Sequence, residues 1–218
     1  MIKLHQLLGR VIQMYESTSQ PQYLPDLAEQ LGKQYKFVII PENKDLLPSD
    51  PPKGAEFKHG KMVTADGREI VINTLTVFND GVVIDTISTD DSEMFLADLI
   101  RWADSRKLGI RLTGIRYYLS HIEVELPRLS VLLSQLGALG IDVTRTLRSY
   151  GIPIPDYTLS NLGLSFDPLG YVGIQPSAFQ LDRRAGKPFS ENLWFSQAPL
   201  KTKDHITMLE NLSEMTAG

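Results

Sequence analysis

The chain has 218 residues, 42% hydrophobic and 22% charged, with a net charge of −4. That composition is too apolar for a disordered chain, and the length suffices to bury a core without covalent staples. The absence of cysteine excludes disulfides, thiolate metal sites and a cysteine nucleophile, and it fits a reducing, cytoplasmic setting.

At the N-terminus Leu4, Leu7, Leu8, Val11, Ile12 and Tyr15 recur at helical spacing, which predicts an amphipathic helix over 3–16. Lys3, His5, Gln6 and Arg10 interrupt it, so it lacks the apolar core of a signal peptide. Nowhere does a run of about 18 apolar residues occur that would span a bilayer. A short helix is expected from Pro25, with Gly32 placed to stop it, and YKFVII at 35–40 reads as a strand. Residues 41–54, PENKDLLPSDPPKG, are rich in proline and predict a loop or linker. This divides the chain into an N-terminal helical segment (1–40), the linker (41–54) and a main domain (55–218), with a second, weaker boundary at GIPIPD, 151–156.

The block after the linker is the most legible. EIVINTLTVF at 69–78 reads as a strand covered on both faces. Asn79-Asp80-Gly81 predicts a hairpin turn with Gly81 in the left-handed conformation, and VVIDTIS at 82–88 returns. Thr89, Asp90 or Asp91 is expected to cap a helix over about 91–107, carrying Phe95, Leu96, Leu99, Ile100 and Trp102, with Arg106 and Lys107 at its C-terminal end and Gly109 as its stop. Residues 119–126 alternate as a strand, and Pro127 can open a further helix through Leu136. Strands are expected within 157–166, 171–182 and 191–198, and a last helix from Thr202 or Asp204 to Met215. The fold class is therefore α+β, a mostly antiparallel sheet with flanking helices.

The common catalytic patterns are missing. There is no GxGxxG, no GxxxxGK[ST], no HExxH and no GxSxG, and the four histidines have no zinc-site spacing. Neither a cofactor nor a metal is expected on this ground.

Three weaker patterns remain. First, 78–100 holds Asp80, Asp85, Asp90, Asp91, Glu93 and Asp98 without a Lys or Arg. Asp85 with Asp90 or Asp91 offers oxygen ligands for Mg²⁺ and water activation, although helix capping explains most of these carboxylates and leaves only Asp85 without a role. Second, alternation puts His121, Glu123 and Glu125 on one strand face, a set that suits a metal or acid–base pair, or simply a wet sheet face. Third, Arg106, Arg111, Arg116, Tyr117 and Tyr118 combine cations with stacking aromatics, as single-stranded nucleic-acid binding uses. The adjacent acidic (78–100) and basic (101–116) segments would also suit head-to-tail contact between copies. Trp194-Phe195 sits in an expected strand, so at most one ring faces a given core.

The leading expectation is a non-enzymatic protein-interaction or assembly protein, homo-oligomeric, whose partner is another protein or itself. A metal-dependent phosphoester hydrolase and a nucleic-acid-binding module are the alternatives. No membrane partner is expected, and nucleic acid is disfavoured by the acidic balance.

Overall fold

The computed structural model describes residues 2–17, 24–42, 44, 53–126, 130–152, 156–169 and 173–214, with side chains described outside 24 and 130–139. Among these, the chain runs β1 (Lys3–Ser17), α1 (Leu24–Gln34), β2 (Ala55–Val63), β3 (Glu69–Val77), β4 (Gly81–Thr86), α2 (Thr89–Ser105), β5 (Ile110–Glu125), α3 (Ser130–Ser149), β6 (Asn161–Leu164), β7 (Phe179–Arg183), β8 (Leu193–Ala198) and α4 (Thr202–Glu214). Every described register pairs strands antiparallel, so the α+β class holds. Among the described residues no helix is long and apolar enough to cross a membrane.

The chain forms two compact units: Leu8–Ser120 with Leu200–Thr202, and Met1–Leu7 with His121–Pro199 and Lys203–Gly218. The first has the strand order β2-β3-β4-β1-β5 and the second β5-β8-β7-β6. The long strands β1 and β5 contribute residues to both.

The first correction concerns residues 3–16, which form strand β1 instead of the expected helix. Gly9, Val11 and Gln13 are buried while Arg10, Ile12 and Met14 are less so, a period of two. The leucines at 4, 7 and 8 imitate a helical stripe, but β-branched Val11 and Ile12 favour the strand, and Gly9 disfavours a helix interior. Gly9 is needed where it stands: a Cβ there would overlap the backbone of Ser88 and Thr89. The start of α2 rests directly on this bare stretch of β1.

In the first unit Val11, Tyr35, Phe37, Phe57, Leu75, Ile84, Phe95 and Leu96 build the core. Tyr35 stands edge-on to Phe95 at 4.8 Å. Residues 35–40 form no regular strand, only an isolated bridge from Ile39 to Lys58. Lys36, at φ 52°, turns the chain out of α1, so the stop is Lys36 and Gly32 lies inside the helix.

The β3–β4 hairpin and α2 match the sequence reading closely, with three differences. Gly81 is absent from the left-handed region; it is small because a Cβ would lie 3.0 Å from the Gln13 carbonyl on the neighbouring strand. The helix cap is Ser88, whose hydroxyl accepts from the Asp91 amide, so α2 begins at Thr89. Lys107, at φ 58°, ends the helix two residues before Gly109, with the Leu108 amide donating to the Ala103 carbonyl.

In the second unit Ile122, Val124, Leu126, Leu181, Trp194 and Leu209 form the core. The expected alternation of β5 is present, with Ile122, Val124 and Leu126 fully buried. The later strands are shorter than expected, at 161–164, 179–183 and 193–198. Pro127 and most of the 41–54 segment lie outside the described residues.

Candidate functional site

The sequence left Asp85 without a role, and the fold supplies one. Asp85 on β4 lies directly opposite Arg10 on β1 and Thr74 on β3. Arg10 donates through Nε to Oδ1 at 2.7 Å and through Nη2 to Oδ2 at 2.8 Å, and the Thr74 hydroxyl adds a bond to Oδ2 at 2.8 Å. This planar, two-pronged pairing satisfies the buried carboxylate. The hydrogen bonds to Asp85 raise the Arg10 pKa, against the effect of burial.

The other carboxylates of 78–100 are held apart from one another. Asp91, almost fully buried, receives Arg68 at 2.7 Å. Asp98 binds the Tyr35 hydroxyl at 2.9 Å and Arg101 at 2.9 Å. Asp80 lies in the β3–β4 turn, and Asp90 is exposed in the first turn of α2. Among the described residues, no three His, Asp or Glu side chains gather in a way that would hold a metal ion. Asp85 and Asp91 are each paired with a different arginine.

Glu93, in the second turn of α2, draws in three side chains. One oxygen accepts from Arg116 at 2.8 Å and from the Tyr118 hydroxyl at 2.6 Å; the other accepts from Lys201 at 2.9 Å. Gln13, buried on β1, accepts from Arg116 Nε at 3.0 Å and donates to the Thr113 carbonyl at 3.0 Å. Lys201 also lies 4.9 Å from the centre of the Tyr118 ring. Alternation on β5 places Arg116 and Tyr118 on one face, so a single carboxylate reaches both.

These contacts fix the protonation states. Burial alone pushes the Glu93 carboxyl up, but the bonds from Tyr118, Lys201 and Arg116 outweigh it and hold it below the usual carboxylate range. Burial and then the bond to Glu93 push Tyr118 up. The bond to Glu93 raises Lys201. Glu93, Tyr118 and Lys201 are each shifted further from pH 7, the opposite of what a general acid or base needs. The cluster clamps β1, β5 and α2 together and leaves Lys201 and Arg116 partly exposed.

The basic segment is largely spent on these acids. Arg116 and Tyr118 belong to the Glu93 cluster, and Arg111 pairs with Glu16 at 2.8 Å. Tyr117 faces the other side of β5, and Arg106 lies at the end of α2 with its guanidinium 5.9 Å from the Trp102 ring. The opposite charges of 78–100 and 101–116 therefore meet within one copy, through Glu93–Arg116 and Asp98–Arg101.

In the second unit, His121, Glu123 and Glu125 share a face of β5 as expected, yet each has its own partner. His121 Nε2 lies 3.0 Å from Gln197 Oε1, and its ring is 5.4 Å from Phe195. Glu123 binds Arg184 at 2.8 Å, and Glu125 has Lys3 and His5 at 3.7 Å. One pair escaped the sequence reading altogether. Ser196 Oγ and His205 Nε2 are 2.8 Å apart, both fully buried, with Ser196 also bonding the Gln180 carbonyl at 3.1 Å. Burial first, and the nearby His121 second, lower the His205 pKa to about 4, so the imidazole is neutral. A serine beside a neutral histidine resembles a nucleophile pair, but neither atom meets solvent, and the pair serves as a satisfied polar bond in the core.

Arg10, Arg68, Arg184 and Lys201 are the cations that sequence reasoning missed as partners of the candidate acids. Only Arg10 carried a local signal, as a charge inside an apolar run; Lys201 lies more than 100 positions from its acid. No family model matches the chain, and no curated protein matches it.

Proposed function

We propose that this chain is a non-enzymatic interaction protein that self-associates through the edge strand β6. One observation supports it most: β6 pairs with β7 on one side and, among the described residues, ends the strand order. Its Leu164 is 61% exposed, and Phe166 and Leu169 follow at 43% and 89%. An unblocked edge bearing exposed apolar side chains is a template for pairing with another chain. A second copy offers the same edge, and two such edges pair antiparallel about a two-fold axis with no other partner required.

The pairing of the candidate catalytic groups favours this reading over the two alternatives. A cation at Asp85, Asp91 or Glu123 would have to displace an arginine already bonded there. A nucleic acid would have to compete with Glu16 and Glu93 for Arg111 and Arg116. A cytoplasmic setting fits a chain without cysteine.

Sedimentation analysis tests the proposal. The wild-type chain is expected to sediment above its 24.5 kDa monomer mass, and Leu164→Lys, which puts a charge on the edge, is expected to return it to monomer without unfolding it. A monomeric wild-type chain at high concentration contradicts the reading.

A further inference from the structure

The two long strands open two runs of the same order. β1, α1, β2, β3, β4 and α2 are followed by β5, α3, β6, β7, β8 and α4. Each run is a strand, a helix, three strands in an antiparallel meander and a helix, and the second adds only a 3₁₀ turn at Phe189–Glu191. The strand order within each run is also the same, β2-β3-β4-β1 in the first and β6-β7-β8-β5 in the second. A meander joined by one further strand is common, so order alone carries little.

Register carries more, because a slip of one residue turns every side chain to the other face. Arg10 lies opposite Asp85, and Asp85 opposite Thr74. His121 Nε2 lies 3.0 Å from Gln197 Oε1, and Gln197 lies opposite Gln180. Matching these two rows fixes the alignment of the other strand residues, and burial then agrees along each strand. Gly9, Val11 and Gln13 are buried, and so are their counterparts Ser120, Ile122 and Val124. β4 and β8 are each 6 residues long and are buried at the same positions except at Asp85 and Gln197. Leu75 and Leu181 are both fully buried, with Phe57 opposite the first on β2 and Leu162 opposite the second on β6.

The helices obey the same alignment. At the end of α1 the Tyr35 amide donates to the Leu31 carbonyl, Lys36 is left-handed, and the Phe37 amide reaches back to Gly32. At the end of α3 Tyr150 donates to Thr146, Gly151 is left-handed, and Ile152 reaches back to Leu147. α2 and α4 both begin at a buried threonine, Thr89 and Thr202. The fourth residue of each helix reaches the same place on the preceding strand: the Ser92 hydroxyl donates to the Ile84 carbonyl at 3.4 Å, and His205 Nε2 lies 2.8 Å from Ser196 Oγ. Leu96 and Leu209, a turn further on, are both fully buried. Thr89 and Thr202 also bond one another. Each amide donates to the other's hydroxyl, at 3.0 and 2.9 Å. Such reciprocity is expected of corresponding residues in two copies of one unit. Few of the matched residues are identical, so the repeat leaves no periodic signal in the sequence.

We infer that the chain is an internal duplication, two repeats of one βαβββα unit fused in a single chain, with β2 and β6 as counterpart edges. The repeats differ at those edges. In the first, the chain itself closes the outer side of β2, through bonds in both directions between Ile39 and Lys58. Among the described residues β6 has no such bridge. The duplication stands whether or not β6 pairs with another copy.

The test is a circular permutant of the full chain, running from Ile110 to Gly218, through a Gly/Ser linker, and on through residues 1–109. If the repeats are equivalent their order is interchangeable, and the return from α4 to β1 needs no more chain than the connection from α2 to β5. A linker of about six residues makes the path from Thr202 to Leu7 as long as that from Thr89 to Tyr118. This permutant is expected to keep the wild-type amide NMR spectrum away from the join and the cut. Its urea midpoint is expected to be no lower than that of a permutant with a linker of about 20 residues. Folding only with the long linker overturns the inference. Should neither permutant fold, the chain in its natural order decides, carrying His121→Arg with Gln197→Asp, which writes the Arg10–Asp85 pair into the second repeat. A new arginine Nε–H signal, protected from exchange with water in the double variant and missing in His121→Arg alone, supports the duplication, and its absence from the double variant refutes it.

Discussion

A charged side chain inside an apolar strand carries two opposite readings, a reacting group or half of a buried pair. Asp85 belongs to the second class because Arg10 meets it with both nitrogens of one edge. Removing one member leaves the other desolvated and unpaired. Asp85→Asn keeps the shape and loses the charge, and is expected to lower unfolding free energy by about 1–3 kcal/mol, read from urea denaturation. The double change Arg10→Met with Asp85→Leu is expected to cost less than the sum of its single changes. His205 gives a pH signature. Its folded pKa of about 4 lies below the ordinary value, so the unfolded chain takes up a proton first as pH falls. Its contribution is therefore full above about pH 6.5 and declines until pH passes the folded value, a loss of about 3 kcal/mol. His205→Gln is expected to remove that slope; an unchanged pH profile would refute the assignment.

At the scale of elements, the block from β3 through α2 was readable because its signals agree: β-branched runs, a turn at 79–81, a polar cap and an apolar helix face. Strand β5 was readable only from residue 119 on, where the alternation is clean, although it begins at Ile110. Strand β1 was not, because leucines at 4, 7 and 8 satisfy a helical period as well as a strand period, and sequence spacing alone does not say what packs on Gly9. Tertiary contact decides it: α2 needs a surface without a side chain, and only an extended β1 offers Gly9 there. Gly9→Ala would drive a Cβ into the backbone of Ser88 and Thr89, and is expected to destabilise the chain by about 3 kcal/mol or more, measured by thermal unfolding. A change below about 0.5 kcal/mol would show that α2 does not rest on β1. The candidate site was legible only by halves. Segment composition identified the acids, but their partners, Arg10, Arg68 and Lys201, are fixed by strand order and by a contact spanning 108 positions. No local window contains that information.

Across the whole molecule, two ion pairs, Glu93–Arg116 and Asp98–Arg101, join the acidic and basic segments inside a copy. Among the described residues the acids and histidines named from sequence have protein partners, apart from Asp80 and Asp90 in a turn and an exposed helix start. If β6 is the surface that is used, the backbone amides that point away from β7 exchange slowly only when copies are paired. Hydrogen exchange of residues 161–164, followed over a wide range of protein concentration, tests this most directly. Protection that rises with concentration, and that Leu164→Lys abolishes, is the result expected; fast exchange at every concentration would contradict it.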